Sequence, residues 1–285
     1  MASMRDIKRR KGSIQSTQQI TKAMKLVSTV KLQKSKTRAE NAKPYFTMMY
    51  NTVCSILAKS GNIEHPYLTG GESDRRAIIV ITSNRGLAGG YNSNVVKLIT
   101  DSGFDKETTE IYSIGKKGYE ALARKGYNIT HDYGEVIEEP LYEDAAEICK
   151  AVLEQFAAGE IGEIYLAYTS FKNTVSHQPT LLRLLPVDLE NQSDEEAQVN
   201  LLMNYEPNEE EALNDIIPKY LTSLFYGALI EAVASENGAR MQAMDSATSN
   251  AEEMINDLEL KYNRARQGSI TQELTEIIAG ADAIS

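Results

Sequence analysis

The pattern of hydrophobic and polar positions divides the chain into two helical ends and a central region. Residues 3–58 contain only two helix-breaking residues, Gly12 and Pro44, and are rich in Lys, Gln, Ala, Met and Leu, which favour helices. Ser3 is the expected N-cap, because its hydroxyl can accept a bond from a free backbone N–H. Pro44 lacks an N–H group, so we expect a kink there.

The central region, residues 74–190, alternates between strand and helix patterns. Its predicted strands are Ala77–Thr82, Glu110–Ile114, Glu163–Ser170 and Thr180–Leu189, and its predicted helices are Asn94–Thr100, Lys116–Lys125 and Leu141–Ala158. Asn92, Ser93 or Asn94 is the expected cap of the first helix. The last two strands are expected to pair antiparallel across the sequence that begins at His177. This alternation predicts a Rossmann-like α/β domain with a mostly parallel sheet.

The C-terminal region is predicted to form one helix from about Glu209 to Ala283. Its apolar and small residues recur at intervals of 3, 4, 3, 4, 3, 4 and 3, at Met241, Met244, Thr248, Ala251, Ile255, Leu258, Tyr262 and Ala265. This repeat of 3.5 residues is typical of a left-handed coiled coil. The pattern resumes, one residue out of step, at Ile270, Leu274, Ile277 and Ala281.

The N-terminal helix is the expected partner of that long helix. A helix of roughly 75 residues is about 110 Å long, so most of it must project from any small domain and needs another long helix to cover its stripe. The expected contact residues of the partner are Ile7, Ile14, Ile20, Met24, Val27 and Val30. The sequence therefore predicts a long antiparallel coiled coil attached to a central α/β domain. Its three segments are residues 1–60, 74–190 and 209–285.

Composition adds two contrasting surfaces. Of the 285 residues, 42% are apolar, and the net charge of −10 is unevenly spread. Residues 1–43 carry twelve Lys or Arg and two acids, whereas residues 190–215 carry nine acids and neither Lys nor Arg. This asymmetry indicates at least two partner surfaces. Cys54 and Cys149 form no motif, which fits a reducing compartment. We see no signal peptide and expect membrane association only through a partner.

Four glycines within the predicted helices are unexpected. Gly12, Gly227, Gly238 and Gly268 each cost about 1 kcal/mol relative to Ala in a helix interior. A narrow space around the rod would be one reason for them.

The sequence offers weak support for an enzyme. The segment from Gly86 to Gly90 lies between a predicted strand and a predicted helix, as phosphate loops do, but it has no G-x-G-x-x-G pattern and no G-K-[ST] ending. Glu110 opens the second strand instead of ending it, where a ribose-binding acid should lie. The histidines, His65, His131 and His177, have no metal-ligand spacing. We predict no catalytic, cofactor-binding or metal-binding residue, although a nucleotide-dependent enzyme stays an alternative.

Two binding functions are further alternatives. The basic residues 1–43 could bind nucleic acid, but they include no aromatic residue for base stacking, so a protein-facing surface is favoured. A scaffold built on the coiled coil would need no α/β domain between its strands. Self-association of the chain would favour the scaffold, and nucleotide binding by the chain alone would favour the enzyme.

Several motifs resemble those of the γ subunit family of bacterial F-type ATP synthases. They are Ile20-Thr-Lys-Ala-Met-Lys-Leu-Val27, Ser83-Asn-Arg-Gly-Leu-Ala-Gly-Gly-Tyr-Asn92, Arg240-Met-Gln-Ala-Met-Asp-Ser-Ala-Thr-Ser-Asn-Ala251 and the segment from Tyr262 to Ile277. The resemblance extends over essentially the whole chain. The cysteine pair and insertion of chloroplast relatives are absent, as is a mitochondrial transit peptide, which favours a bacterial member without thiol switching.

The resemblance implies a non-catalytic rotor shaft that needs no cofactor. Its coiled coil would turn within a hexamer of alternating α and β subunits, and its lower part would stand on the membrane c-ring beside the ε subunit. Ion flow through the ring would drive ATP synthesis, or hydrolysis would drive the reverse, and the shaft would regulate ATPase activity and proton flow. The implied location is the cytoplasmic face of the bacterial cell membrane, as a peripheral protein without nucleic acid.

The resemblance also implies roles for particular residues. Met24, Arg240, Gln267 and Thr271 match positions that couple rotor and stator, and Met203, Tyr205 and Glu206 match the region that contacts the c-ring. The basic residues within Arg5–Lys11 and Lys22–Lys25 would face acidic loops of the β subunits.

Overall fold

The computed structural model describes residues 3–60, 65–71, 73–174, 176–187 and 209–282. In chain order the elements are α1 (Met4–Ser60), α2 (Pro66–Thr69), β1 (Arg76–Ile81), α3 (Tyr91–Asp101), β2 (Thr109–Ile114), α4 (Lys116–Arg124), β3 (Asn128–Asp132), α5 (Tyr142–Ala157), β4 (Glu163–Phe171), β5 (His177–Leu185) and α6 (Glu209–Asp282). By their contacts they form two units, one of Thr29–Ala239 and one of Met1–Ser28 with Arg240–Ser285. We call the first the sheet unit and the second the coil unit.

The sheet unit is built on five strands in the order β3-β2-β1-β4-β5. Strands β1 to β4 are parallel, and β5 is antiparallel to β4. The central strand, β1, is fully buried from Ala77 to Ile81, as expected for a strand covered on both faces. The prediction of a mixed α/β fold with a mostly parallel sheet is therefore confirmed.

Helices cover both faces of this sheet. On one face, α3 and α4 pack Val95, Ile99 and Leu122 against the inward residues of β1 and β2. On the other face, α5 and the first part of α6 pack against the sheet, together with Val53 of α1. The α6 residues that are buried there include Leu213, Ile217, Tyr220, Leu221, Phe225, Leu229 and Ala232. This part of α6 is thus a core helix of the sheet unit.

One 18-residue window of α6 is long and apolar enough to cross a membrane by composition, which the sequence analysis did not anticipate. Its burial gives a simpler account, because 56% of the window is inside the structure. The apolar character of α6 follows from its packing on the sheet.

The coil unit pairs the beginning of α1 with the later part of α6. Lys11 contacts Glu259, and Lys25 contacts Asp245, so the partner numbers fall along α6 as the numbers rise along α1. This order shows that the two helices run antiparallel, as predicted. The Ser3 hydroxyl accepts the N–H of Asp6 at 3.3 Å, which confirms Ser3 as the cap of α1.

Some local predictions were wrong. Helix α3 begins at Tyr91 with Gly90 as its N-cap, so none of the three expected residues caps it. Asn92 instead bonds back to Ser83, whose N–H it accepts at 2.9 Å. His177 lies inside β5 and not in the turn before it. The short strand β3 was missed, because its residues are mostly exposed and carry little apolar signal.

Candidate functional site

The seam between the two helices of the coil unit is the first candidate surface. On α6 the least exposed residues include Met244, Ala251 and Leu258, which are buried, while Met241, Thr248, Ile255, Tyr262 and Ala265 are half-buried. All eight are the positions that the 3.5-residue repeat predicts. The prediction of the α6 stripe is therefore confirmed.

The matching stripe of α1 was predicted only in part. Its buried or half-buried residues in this unit include Ile7, Lys11, Ile14, Gln18, Thr21, Lys25 and Ser28, which recur at intervals of four and three, and also Met24. Ile7, Ile14 and Met24 belong to the expected stripe, but Ile20 and Val27 are exposed, at 61% and 59%. Val30, in the sheet unit, is 71% exposed. The prediction used apolar side chains only, whereas the seam also includes polar ones such as Gln18, Thr21 and Ser28.

Polar contacts run along this seam. The Thr21 and Thr248 hydroxyls lie 2.8 Å apart, and either can donate to the other. On its flanks, Lys11 Nζ lies 3.0 Å from Glu259 Oε1, and Lys25 Nζ lies 2.6 Å from Asp245 Oδ1. Lys11 and Lys25 therefore each have an acidic partner on α6.

The far end of α6 is exposed all round. Because Lys11 lies opposite Glu259, the start of α1 at Met4 falls about seven residues further along α6. Every residue of α6 from 270 to 281 is exposed, including the large apolar residues Ile270, Leu274, Ile277 and Ile278. The large residues of the apolar stripe that was predicted to continue the coiled coil here, Ile270, Leu274 and Ile277, are therefore not buried in a seam. We call residues 270–281 the tip.

The glycine-rich loop of the sheet unit is engaged within the chain. In open α/β sheets, ligands bind beyond the carboxyl ends of the strands, where the strand order reverses, here between β1 and β4. That edge is occupied by α6, because Tyr91 Oη donates to the Ala232 carbonyl at 3.1 Å and Phe171 N–H donates to Glu231 Oε2 at 3.4 Å. A nucleotide at this edge would have to displace a core helix, which counts against the enzyme alternative.

The loop itself is a tight strand-to-helix connection. Leu87 and Gly89 have positive φ angles of 64° and 56°. The Ser83 hydroxyl donates to the Arg85 carbonyl at 2.6 Å, and Asn92 closes the loop from the first turn of α3. Among the described residues no group of three His, Cys, Asp or Glu could hold a metal ion.

Comparison with known proteins identifies the family. A family model described as ATP synthase matches residues 3–284. The ATP synthase gamma chain of Lachnoclostridium phytofermentans is 70% identical over 291 residues, which cover 100% of both chains. That of Alkaliphilus metalliredigens is 43% identical, over 99% of this chain and 98% of its own. The chain belongs to the family of ATP synthase gamma chains.

Other members of the gamma chain family are similar over comparable lengths. A sodium ion specific gamma chain of Acetobacterium woodii is 40% identical, over 99% of each chain. A solved mitochondrial ATP synthase of Euglena gracilis, with OSCP, F1 and c-ring in rotational state 3, contains a chain that matches with a TM-score of 0.69 at 19% identity. The match covers 99% of this chain and 94% of that one, and it shows that the fold is shared.

Family membership fixes the general role of this gamma chain. It is the central rotor shaft of an F-type ATP synthase and works as part of that complex. It is a stalk subunit and not itself a catalytic one, and it associates with the membrane only through the complex.

The predicted coupling residues of the gamma chain lie in two separate places. Met24 and Arg240 are half-buried, on α1 and α6 respectively. Gln267 and Thr271 are exposed near the tip, where the Thr271 hydroxyl donates to the Gln267 carbonyl at 2.9 Å. The 27 residues of helix from 240 to 267 span about 40 Å. The four residues therefore do not form a single cluster.

The predicted c-ring residues, Met203, Tyr205 and Glu206, lie outside the described residues.

The side chain of Cys149 is buried against α6, and burial raises its pKa to about 12. It therefore stays a protonated, packed thiol near neutral pH.

Proposed function

We propose that the coil unit of this chain turns inside a hexamer of alternating α and β subunits, driven by a membrane c-ring with an ε subunit beside it. In this proposal, ion flow through the ring is converted into ATP synthesis at the hexamer, and ATP hydrolysis drives the reverse rotation. The chain would then be a peripheral protein on the cytoplasmic face of a bacterial cell membrane.

The observation that carries this proposal is the apolar surface that the coil unit leaves uncovered. Ile20, Leu26 and Val27 of α1 are each about 60% exposed, at 61%, 62% and 59%. On the tip, the exposed fractions of Leu274, Ile277 and Ile278 are 55%, 67% and 60%. Clusters of exposed large apolar residues indicate an interaction surface. A surrounding ring of subunits would cover both faces of the rod and its end.

Two glycines support a close-fitting partner. A methyl group built on Gly12 or on Gly268 would meet no described atom within 4 Å. Packing within the chain therefore does not explain why these two positions are Gly, which destabilises a helix interior by about 1 kcal/mol relative to Ala. A narrow bore around the rod would explain both.

The basic surface of α1 fits acidic loops on a partner. After Lys11 and Lys25 are assigned to contacts with α6, the basic residues Arg5, Lys8, Arg10 and Lys22 still face solvent. Exposed ion pairs are each worth less than about 1 kcal/mol. Such weak contacts would suit a bearing whose pairs form and break at every step of rotation.

We propose that Met24, Arg240, Gln267 and Thr271 couple the rotor to the stator. Alanine variants of Arg240, Gln267 and Thr271, compared with Asn250→Ala at an exposed position of α6, should reduce ion pumping per ATP hydrolysed. Nucleotide binding should be unchanged. Normal pumping per ATP in every variant would refute these assignments.

The proposed c-ring contact is at Met203, Tyr205 and Glu206, within the acidic segment that precedes α6. Glu206→Lys in the complete complex should weaken attachment of the ring, because it reverses a charge in that contact. The matched control is Glu190→Lys, at the other end of the same acidic segment. Equal loss of the ring in both variants would contradict a specific role for Glu206.

Reconstitution with α and β subunits from the same source tests the proposed function as a whole. A probe on Asp101→Cys, an exposed position at the end of α3, would report movement while leaving buried Cys149 intact. One chain per three αβ pairs, with rotation in a single direction during hydrolysis, is the expected result. A chain that stayed outside the hexamer and bound ATP alone would favour the enzyme alternative.

A further inference from the structure

Gly238 and His177 meet where α6 crosses the end of the β4–β5 pair. A methyl carbon built on Gly238 would lie 2.6 Å from His177 Cε1 and 3.1 Å from Nε2. Real Cβ atoms essentially never approach that closely, so the imidazole ring occupies the space that any other residue at position 238 would fill. Gly238 is itself buried. We call this contact the socket.

The ring in the socket is held by its surroundings. His177 pairs with Phe171 across the two strands, and the centroids of their rings are 6.0 Å apart. Both imidazole nitrogens are buried, and the ring also interacts with the Thr174 backbone. Toward α6 the ring contributes its shape, because its contact with Gly238 is a packing contact.

Two further contacts hold the same stretch of α6 from other elements. Tyr91 at the start of α3 donates to the Ala232 carbonyl, and Phe171 at the end of β4 donates to Glu231 Oε2. Glu231 and Gly238 are seven residues apart, so they lie on the same face of the helix. Elements α3, β4 and β5 thus all contact α6 within two turns of that helix.

We propose that the socket of His177 and Gly238 fixes the rotation of α6 about its own axis and its position along that axis relative to the sheet. The sheet and α6 would therefore turn together. The inference rests on the shaft function described above and adds two positioning residues to it. Apolar contacts between smooth surfaces resist separation of α6 from the sheet but allow the helix to slide. The His177 ring, which fills the space beside Gly238, blocks both sliding of α6 and its rotation about the helix axis. This role also explains why α6 accepts the cost of Gly in its interior.

A mutant cycle on the full chain tests the socket without any partner. Gly238→Ala should lower Tm, because the new methyl group displaces the ring. In the His177→Ala background the same change should raise Tm by about 2–4 °C, since Ala favours the helix and the notch is empty. His131→Ala, at an exposed histidine of β3, is the matched control and should leave the loss from Gly238→Ala unchanged. A rise in Tm from Gly238→Ala in the wild-type background would overturn the proposal.

The coupling role is tested in membrane vesicles that hold the complete complex. His177→Ala should lower ion pumping per ATP hydrolysed at an unchanged amount of assembled complex, whereas His131→Ala should not. An unchanged pumping ratio in His177→Ala would overturn the positioning role. If the proposed shaft function is wrong, the wild-type chain will not join the complex. If the socket proposal is wrong, Gly238→Ala will raise Tm in the wild-type background.

Discussion

At the scale of single residues, burial decides which titratable groups can act. Burial raises the pKa of Tyr112 and of Tyr168 to about 12, and that of Cys149 also to about 12. Burial moves His177 in the opposite direction and lowers its pKa below the ordinary value of 6.5. In each case the low-polarity surroundings disfavour the charged form. The sheet unit is thus built to keep these groups neutral at physiological pH.

The His177 shift predicts a dependence of stability on pH. The unfolded chain takes up a proton near pH 6.5, whereas the folded chain resists it, so the unfolded state binds more protons as the pH falls. The contribution of the socket is therefore complete above about pH 6.5 and is lost progressively below it. Glu231 on α6 and Tyr168 on β4 are titratable side chains of the elements packed around this contact, and both are left unchanged by the test. Between pH 7.5 and 5.5, wild-type Tm should fall further than that of His177→Gln. Parallel curves would contradict the prediction.

The buried thiol gives a second prediction at this scale. Because Cys149 is buried and stays protonated, a maleimide should not label it in the folded chain, and labelling should appear on unfolding in denaturant. Cys54→Ala isolates the signal, and Asp101→Cys provides an exposed control on the same chain. Rapid labelling of Cys149 in buffer would mean that α5 and α6 separate readily.

At the scale of elements, the seam shows what a sequence pattern can and cannot give. The stripe of α6 was predictable because Met, Ile and Leu mark a repeat of 3.5 residues. The stripe of α1 was predictable only in part, because Thr21 and Ser28 occupy seam positions and Ile20 and Val27 lie outside it. Burial depends on which side the partner lies, and the partner is more than 200 residues away in sequence. Strand β3 was not predicted for a related reason, since an exposed edge strand has little alternation of apolar and polar residues.

The polar pair in the seam predicts a role in register. A polar contact at one core position selects one alignment of two helices at some cost in stability. Thr21→Val with Thr248→Val should therefore change the free energy of unfolding by less than about 1.5 kcal/mol, because both partners of one bond are removed together. Alternative registers should become populated, as measured by cross-linking of engineered cysteines at Lys11 and Glu259. Unchanged cross-linking specificity in the double variant would mean that the flanking ion pairs set the register.

At the scale of the whole molecule, the chain separates what stabilises it from what it offers to partners. The sheet unit packs apolar residues into a core on each face of its sheet, whereas the tip exposes Ile270, Leu274, Ile277 and Ile278. Four of the five strands, their mostly parallel arrangement and the long helices were predictable from local patterns. The contacts of α3, β4 and β5 with α6 were not, because they join residues that are distant in sequence through Gly238, the Ala232 carbonyl and the Glu231 carboxylate.

The exposed tip predicts an unequal effect of truncation. A chain that ends after Ser269 lacks residues 270–281, all of which are exposed, so its Tm should change by less than about 2 °C. Assembly with α and β subunits should weaken, because the lost residues are those offered to the partner. A large loss of Tm would show that the tip contributes to the fold, and unaltered assembly would count against the proposed bore.

The antiparallel pairing also sets the order in which the molecule can be completed. Lys11 and Glu259 are 248 residues apart, and the residues that cover α1 in the coil unit leave the ribosome after the whole of the sheet unit. The sheet unit lies between them in sequence and can fold first, which brings the two ends together and shortens the loop that must close. Until then the seam of α1 stays open to water and to chaperones. A stalled or shortened chain would therefore carry a folded sheet and an uncovered N-terminal helix, a form that quality control in the cell can recognise.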